Sequence, residues 1–191
     1  MHRRSGFTLV EALACLTIAG MAASGLTLAI SSHLSLAEHT LKQTIARGIV
    51  EQLADEVLTL PYVAPGGNPF ARELGPSQYE NAGAGRERFS EIGDYHLYAA
   101  QPPCDRWGEP LGEGDGDGGL RPAAQHTLWK FESWRETVEV YYVDDNNPAR
   151  RLQSGQVSST RVVFVRLYER MSDREPHLLA ETKRLVSYVP D

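Results

Sequence analysis

The sequence predicts an α+β fold, with one long N-terminal helix packed on an antiparallel sheet of about three or four strands. The first observation is a stretch without proline from residue 7 to residue 60, whose second half carries apolar residues at helical spacing. The second is a set of runs after residue 133 in which apolar and polar residues alternate, as they do in strands. The third is the proline- and glycine-rich sequence between these regions, which is typical of turns.

Composition excludes several classes of protein. Of the 191 residues, 41% are hydrophobic and 23% are charged, which excludes a fully disordered chain and a collagen. The formal net charge of -6 argues against a nucleic-acid partner, because such binding relies on cations that release counterions from phosphates. The mean hydropathy is negative, so the chain is not a polytopic membrane protein. The length fits one domain and little more.

The first predicted element is an apolar helix that follows a basic leader. Arg3 and Arg4 precede it, and residues 12–30 carry no charge. Since about 20 apolar residues cross the hydrocarbon core of a bilayer, the run that starts at Phe7 is long enough to span a membrane. The positive-inside rule keeps the two arginines in the cytoplasm and places the rest of the chain outside it.

Glu11 is the unusual residue of this helix. A carboxylate costs about 2.5–3.5 kcal/mol at the centre of a membrane helix and less near the interface, so it is a functional candidate by default. A secretory signal has a shorter apolar region, of about 7–15 residues, followed by a small-residue cleavage site. The small residues at positions 22–25 leave that alternative open.

The sequence reads Gly-Phe-Thr-Leu-Val-Glu at residues 6–11, and there it resembles the signal of type IV pilins and type II secretion pseudopilins. The resemblance covers about residues 1–60. It implies that a membrane aspartic peptidase cuts after Gly6 and methylates the new amine on Phe7. It also implies that Glu11 pairs with the N-terminal amine of a neighbouring subunit. Such head-to-tail pairing between staggered copies builds an open filament.

The outer half of the long helix carries a wide apolar stripe. Its two rows are Ala37, Leu41, Ile45, Ile49, Leu53 and Val57, and Ala46, Val50, Ala54 and Leu58. The stripe predicts packing on a globular domain, and a coiled coil with a partner helix is the alternative. Major pilins often carry a proline in the apolar helix, so its absence here favours a minor pilin or a pseudopilin. Residues 45–62 and the C-terminal strands resemble I-type pseudopilins most.

The strands follow the helix. A short strand is predicted at residues 94–100, and three longer ones at residues 134–143, 161–169 and 178–189. With turns at residues 144–148 and 172–176, the three longer strands form an antiparallel meander. The predicted organisation is therefore a leader (1–6), a transmembrane and assembly helix (7–30), an amphipathic helix (31–60), a variable Pro/Gly-rich region with a short strand (61–133) and antiparallel strands (134–191).

The remaining candidates for chemistry are few. Cys15 and Cys104 are not expected to form a disulfide, since one lies in the apolar run and the other in a polar loop. Asp115 and Asp117 resemble half of a calcium loop but lack its bidentate glutamate, so the alternatives are a metal ligand pair and a solvated linker. We expect no cofactor, no metal site and no enzymatic activity, because no set of residues has catalytic spacing.

Aromatic residues are concentrated between residues 107 and 134. They are Trp107, Trp129, Phe131 and Trp134. They predict either core under a loop or a patch that binds a ligand or partner.

Two functions remain. The first is a structural minor pilin or pseudopilin in a type II secretion pseudopilus or a type IV pilus-like filament. The resemblance then implies a single-pass inner-membrane protein with an extracytoplasmic C-terminal domain. Its partners are other pilin-like subunits, the prepilin peptidase/methylase and the inner-membrane assembly machinery. The alternative is a signal-anchored extracytoplasmic binding or adhesin module that uses the tryptophan-rich region.

Overall fold

A computed structural model describes residues 8–115, 117, 119–122, 131–170 and 175–190. The chain forms two compact units, Met1–Thr44 and Ile45–Asp191. Helix α1 (Leu9–Leu58) makes up the described part of the first unit and contributes its last turns to the second. At 1.5 Å per residue, its 50 residues measure about 75 Å.

The helix ends two residues before the predicted stop at Leu60. The amides of Thr59 and Leu60 still donate to the carbonyls of Asp55 and Val57, in a last tight turn. Pro61 then ends the helical pattern, because its ring fixes φ, removes the amide donor and disfavours helical geometry at the preceding residue.

The predicted apolar stripe forms the core of the second unit, but only from Ile45 onward. Its buried members are Ala46, Ile49, Val50, Leu53, Ala54 and Val57. They pack with Val138, Val140, Val163, Val165 and Leu167 of the sheet. Ala37 and Leu41 were predicted on the same stripe but are exposed, and they belong to the first unit. Leu58, at the end of the stripe, is also exposed.

The sheet has five strands over the described residues, where three or four were predicted. They are β1 (Tyr98–Ala100), β2 (Trp134–Asp144), β3 (Asn147–Arg151), β4 (Thr160–Glu169) and β5 (His177–Ser187). The order is β1-β2-β4-β5, with every neighbouring pair antiparallel, and β3 pairs with β2 off this path. The architecture confirms the predicted α+β class, with a helix on one face of an antiparallel sheet.

The short strand predicted at residues 94–100 is shorter than expected. A 3-10 helix (Ile92–Tyr95) takes its first two residues, and β1 keeps its last three residues. The Asp94 carboxylate accepts hydrogen bonds from the amides of Ser90 (2.7 Å) and Glu91 (3.0 Å), which stabilises the helical turn. The alternation at Tyr95 and Leu97 therefore does not describe one strand face: Tyr95 is buried, and Leu97 is 74% exposed with φ at 63°.

The turn predicted at residues 144–148 is a tighter hairpin. Asp144 pairs with Asn147, and the chain continues into β3, which includes Pro148. An edge strand tolerates a proline because the missing amide falls on the unpaired side. Most of the turn predicted at residues 172–176 lies outside the described residues.

The long strands β2 and β4 bury charged residues beside apolar ones. On β2, the alternating residues Trp134, Val138 and Val140 are buried, and Glu136 is buried on the same face. On β4, Arg161 is buried beside Val163. The core of the second unit therefore contains ionised groups that need partners.

Replacement of Ile49 by Asp is expected to lower the free energy of unfolding by several kcal/mol. The side chain is 8% exposed under the sheet, and an unpaired carboxylate there loses its hydration. Thermal melting of a chain that starts at Ser31, followed by circular dichroism, measures the change. The matched control is Gln52→Asp on the exposed side of the same helix, expected within about 0.5 kcal/mol of the parent. Equal melting of the two variants would show that Ile49 is not in the core.

Candidate functional site

Glu11 lies in the first turn of α1, where its carboxylate binds Thr8. Oε2 of Glu11 accepts hydrogen bonds from the amide and from the hydroxyl of Thr8, both at 3.1 Å. The Thr8 hydroxyl in turn accepts one from the amide of Glu11 at 3.2 Å. Threonine and glutamate three residues apart thus form a capping box, which satisfies amides that a helix N-terminus leaves without partners.

The carboxylate keeps capacity for a further partner. Both hydrogen bonds from Thr8 go to Oε2, and Oε1 accepts none from the residues that the structure describes. The side chain is exposed. An ammonium group that approached Oε1 would therefore not have to displace the capping hydrogen bonds, and a charge-assisted hydrogen bond is stronger than a neutral one.

The helix around Glu11 exposes large apolar side chains on all sides. The exposed side chains are Leu9, Val10, Leu13, Leu16, Ile18, Met21, Leu26, Leu28 and Ile30. This N-terminal helix is long and apolar enough to cross a membrane. A continuous apolar surface of this kind is not stable in water and is typical of a helix that lies in lipid or packs against other helices.

Residues 1–27 match the family model of the prokaryotic N-terminal methylation motif. The chain carries a prepilin-type signal. Neither a curated protein nor a solved structure matches the chain. The prepilin-type signal and the exposed apolar helix together indicate an inner-membrane anchor, and this kind of signal is typical of structural subunits of pilin-like filaments, not of enzymes.

The prepilin-type signal contains the predicted functional residues Gly6, Phe7 and Glu11, and also Thr8, which was not predicted. Gly6 and Phe7, the residues at the expected cleavage site, lie outside the described residues. Glu11 lies inside them, and its partner Thr8 was not predicted. The Thr-x-x-Glu spacing before an apolar run is itself a sequence signature of a helix start, so the role of Thr8 could have been predicted from the sequence.

The aspartates of the glycine-rich loop make local contacts. Oδ1 of Asp115 accepts hydrogen bonds from the amides of Asp117 (2.8 Å) and Gly119 (2.9 Å). These hydrogen bonds hold the pKa of the Asp115 carboxyl below its usual range. No group of three or more potential metal ligands occurs among the residues that the structure describes. The carboxylate of Asp115 thus stabilises a turn.

Both cysteines are free thiols. Cys15 is exposed on the apolar helix, and Cys104 is half-buried, where its thiol donates to the carbonyl of Pro102 at 3.1 Å. Burial and the nearby Glu136 carboxylate raise the pKa of the Cys104 thiol to about 11. A thiol with so high a pKa is a poor nucleophile at neutral pH.

The aromatic residues between positions 107 and 134 do not share one environment. Trp134 is buried in the core, and its ring centroid lies 4.9 Å from that of Phe131. Trp107 is 38% exposed. Trp129 lies outside the described residues. The core interpretation therefore holds for Trp134.

A buried ionic cluster lies between the helix and the sheet of the second unit. We call it the Arg86 cluster: Arg86, Glu56, Glu136, Tyr98 and Tyr95. Arg86 is 2% exposed and donates through Nε and Nη2 to the two oxygens of Glu56, both at 2.9 Å. Its Nη1 donates to Glu136 at 3.3 Å and to the Tyr98 hydroxyl at 2.5 Å. The bidentate geometry orients one guanidinium between two carboxylates.

The pKa values of the two carboxyls in the Arg86 cluster shift in opposite directions. Burial raises the pKa of Glu136 more than the Arg86 charge and the hydrogen bonds from Cys104 and Tyr98 lower it. Burial also acts to raise the pKa of Glu56, but hydrogen bonds from Arg86 and Tyr95 and the Arg86 charge outweigh it and lower the value. Glu56 is therefore the main counter-ion of Arg86, and Glu136 is the carboxylate that burial disfavours.

A second buried arginine fixes the segment after the helix. Arg161 is fully buried and donates through Nη1 to the carbonyl of Tyr62 and through Nη2 to that of Pro69, both at 2.9 Å. Its Nη2 also donates to the Tyr142 hydroxyl at 2.8 Å. These contacts connect the backbone of the loop that contains Tyr62 and Pro69 to β2 and β4. The prolines and glycines of this loop predicted turns, but they did not predict the buried arginine that holds its backbone.

Proposed function

We propose that this chain is a structural minor pilin or pseudopilin. Its N-terminal helix assembles into a type II secretion pseudopilus or a type IV pilus-like filament. The observation that carries the proposal is the prepilin-type signal at residues 1–27, followed by an exposed apolar helix with Glu11 in its first turn. An I-type-like subunit is the subtype that the sequence pattern favours.

The mechanism follows from the charge balance of the helix N-terminus. Cleavage after Gly6 would free an amine on Phe7, four residues before Glu11. The amine and the carboxylate carry opposite charges, and each is costly to leave unpaired in a low-dielectric environment. A neighbouring helix, staggered along its axis, would offer its amine to the Glu11 carboxylate. Each subunit would then pair its amine with one neighbour and its carboxylate with another, which makes the contact head-to-tail and open-ended.

The location and partners follow from the same mechanism. Before processing, the basic leader would stay in the cytoplasm and the second unit would lie outside the inner membrane. The partners would be other pilin-like subunits, the prepilin peptidase/methylase and the inner-membrane assembly machinery.

The chain isolated from membranes is expected to start at methylated Phe7. The reason is that the peptide bond between Gly6 and Phe7 sits at the boundary between the basic leader and the apolar helix, within the matched signal. Removal of the leader takes away Arg3 and Arg4 and changes the side-chain charge from -6 to -8. Intact-mass measurement and sequencing of the N-terminal peptide test the expectation.

Gly6→Val is the matched variant for this test. It is expected to leave the full-length chain in the membrane, since the apolar helix is unchanged. A parent chain that starts at Met1, or one cut near residues 22–25, would contradict the proposal, because the latter is the product of an ordinary secretory signal.

A further inference from the structure

Strand β5 forms a long free edge of the sheet. It has 11 residues and pairs with β4 on one side. Among the residues that the structure describes, none pairs with its other side. The amide of Tyr188, just after β5, donates to the carbonyl of Ser159 on the β4 side. Because successive amides of an extended chain point to opposite sides, those of Lys183, Leu185 and Ser187 point away from β4.

Two other edge strands of the sheet are protected, and β5 is not. Strand β1 has only 3 residues and is soon followed by Pro102 and Pro103. Strand β3 includes Pro148, which has no amide to donate. Short strands and prolines are common means by which proteins keep a sheet edge from pairing with another chain. Strand β5 is long and contains no proline, so its edge is left available for pairing.

Charged side chains also protect sheet edges, but the lysine and the arginine of β5 are engaged inside the second unit. Lys183 Nζ lies 4.3 Å from the ring centroid of Phe164 on β4. Arg184 forms an ion pair with Glu51 of α1. Both cations are therefore held toward the unit's own elements, and not across the free edge. Leu185, between these contacts and the end of the strand, is 58% exposed.

An apolar cavity adjoins the C-terminal end of β5. It has a volume of about 640 Å³ and lies between Val186–Val189 and the loop that follows α1. The described residues that line it include no charged side chain. One wall is aromatic, since the ring centroids of Tyr62 and Tyr188 lie 5.5 Å apart. A cavity of this size and lining accepts a large apolar group and disfavours a charged one.

We propose that the free edge of β5 pairs with an extended strand of a different pilin-like subunit, and that a large apolar side chain next to that strand enters the adjoining cavity. Free amides and carbonyls along an edge are complementary to the backbone of another strand, and a side-chain pocket beside them adds specificity. The inference rests on the proposed function, because assembly through the N-terminal helices would bring other subunits within reach. A minor subunit is surrounded mostly by different subunits, so the strand is not that of a second copy.

Photocrosslinking in membranes from cells that produce the other pilin-like subunits tests the identity of the partner. The full chain carries a benzophenone amino acid in place of Leu185. Irradiation is expected to join it to a different pilin-like subunit, which mass spectrometry identifies. The matched control carries the same amino acid in place of Ala149, an exposed residue of β3, and is expected to give background yield.

Removal of one free amide tests strand pairing itself. Leu185→Pro deletes a donor that points away from β4, so the hydrogen bonds between β4 and β5 remain. Co-isolation of the crosslinked subunit is expected to fall about tenfold, because a backbone acceptor of the partner loses its donor. Leu185→Thr keeps the amide and a side chain that favours strands, and it is expected to lower co-isolation less than about threefold. Melting followed by circular dichroism checks that both variants fold, and the crosslink does not depend on them.

A charge at the mouth of the cavity tests the apolar contact. Val189 lines the cavity and is 78% exposed, so Val189→Asp is not expected to disturb folding. It is expected to lower co-isolation of the same subunit about fivefold, because the carboxylate would lose hydration against an apolar side chain. Val157→Asp, at another exposed valine outside the cavity, is the matched control. Equal co-isolation of the two variants would show that the cavity is not part of the contact.

The outcomes separate this inference from the proposed function. If the chain co-isolates with pilin-like subunits in a Glu11-dependent way but position 185 crosslinks no more than position 149, the edge contact is wrong and the filament function stands. A crosslink from position 185 to a second copy of this chain, or to a protein that is not pilin-like, would also overturn the inference. Equal losses for Leu185→Pro and Leu185→Thr would overturn strand pairing. Absence of Glu11-dependent co-isolation would refute the filament function, whatever position 185 contacts.

Discussion

Glu11→Ala is expected to leave membrane insertion intact and to impair incorporation into a filament. Removal of a carboxylate makes insertion of the helix easier, so a plain membrane anchor would tolerate the change. In a filament the same change would leave a neighbour's N-terminal amine without its counter-charge. Loss of one partner of a buried ion pair costs about 3–5 kcal/mol, which corresponds to roughly 10²–10⁴-fold for one subunit contact.

Two further variants separate the roles of the Glu11 carboxylate. Glu11→Gln keeps the shape and an oxygen acceptor for Thr8 but removes the charge, so we expect it to fail in assembly like Glu11→Ala. Thr8→Val breaks the capping box and keeps the charge. This variant is expected to lose about 1 kcal/mol of helix stability and to assemble nearly as the parent does.

Co-purification of the chain with other pilin-like subunits from membranes measures assembly, and membrane fractionation measures insertion. Normal assembly of both Glu11 variants would favour the signal-anchored binding module. Failure of Thr8→Val together with normal assembly of Glu11→Gln would assign Glu11 a capping role alone.

Arg86→Met is expected to destabilise the second unit by about 3–5 kcal/mol. The substitution leaves the carboxylates of Glu56 and Glu136 in the interior without the guanidinium that neutralises them. Methionine keeps much of the side-chain volume, so the loss reports the charge and hydrogen bonds more than a cavity. Arg88→Met, two residues away and exposed, is the matched control and is expected within about 1 kcal/mol. Urea unfolding followed by tryptophan fluorescence measures both.

The opposite pKa shifts of the two carboxyls sharpen this test. Glu136→Gln is expected to change the stability by less than about 1 kcal/mol at neutral pH, because glutamine can still accept from Tyr98 and Cys104 while the disfavoured charge is removed. Combined with Arg86→Met, it is expected to recover part of the loss. If the double variant were as unstable as Arg86→Met alone, the unpaired Glu136 charge would not be the cause.

The pH dependence of the parent follows from Glu56. Folding lowers its pKa, so its contribution to stability is present above the pKa of the unfolded chain, at about 4.3. That contribution is lost as the pH falls through the folded value. Glu136 acts in the other direction: its raised pKa favours folding below the unfolded pKa, and this advantage is lost as the pH rises through the folded value.

Most of the element boundaries could be predicted because they depend on local patterns. The long helix follows from the missing prolines and the apolar stripe, β2 follows from its alternation, and β4 follows from a run of valines and aromatic residues that is apolar on both faces. The 3-10 helix at Ile92–Tyr95 could not be predicted by alternation, since the Asp94 hydrogen bonds that stabilise it involve the backbone of a loop. The capping box between Thr8 and Glu11 could be predicted from the Thr-x-x-Glu spacing alone.

The contacts of the Arg86 cluster, in contrast, could not be predicted from the sequence. Arg86 sits in a loop without periodicity, 30 residues from Glu56 and 50 from Glu136 along the chain. Contacts between residues so far apart along the chain leave no pattern in a single sequence. The alternation of β2 did place Glu136 on the buried face, and a glutamate among Trp134 and Val138 indicates a buried partner without identifying it.

By itself, the sequence determined the N-terminal signal, the apolar helix and the strand faces. Each of these depends on residues close together in the chain: a charged leader before an apolar run, a helical repeat or a two-residue repeat. The tertiary structure alone decided that Arg86 and Arg161 are buried, and which groups neutralise or bind them. It also decided that the cationic groups of Arg166 and Lys183 lie over the ring of Phe164. These features join residues from separate elements, and such contacts exist only once packing has brought those elements together.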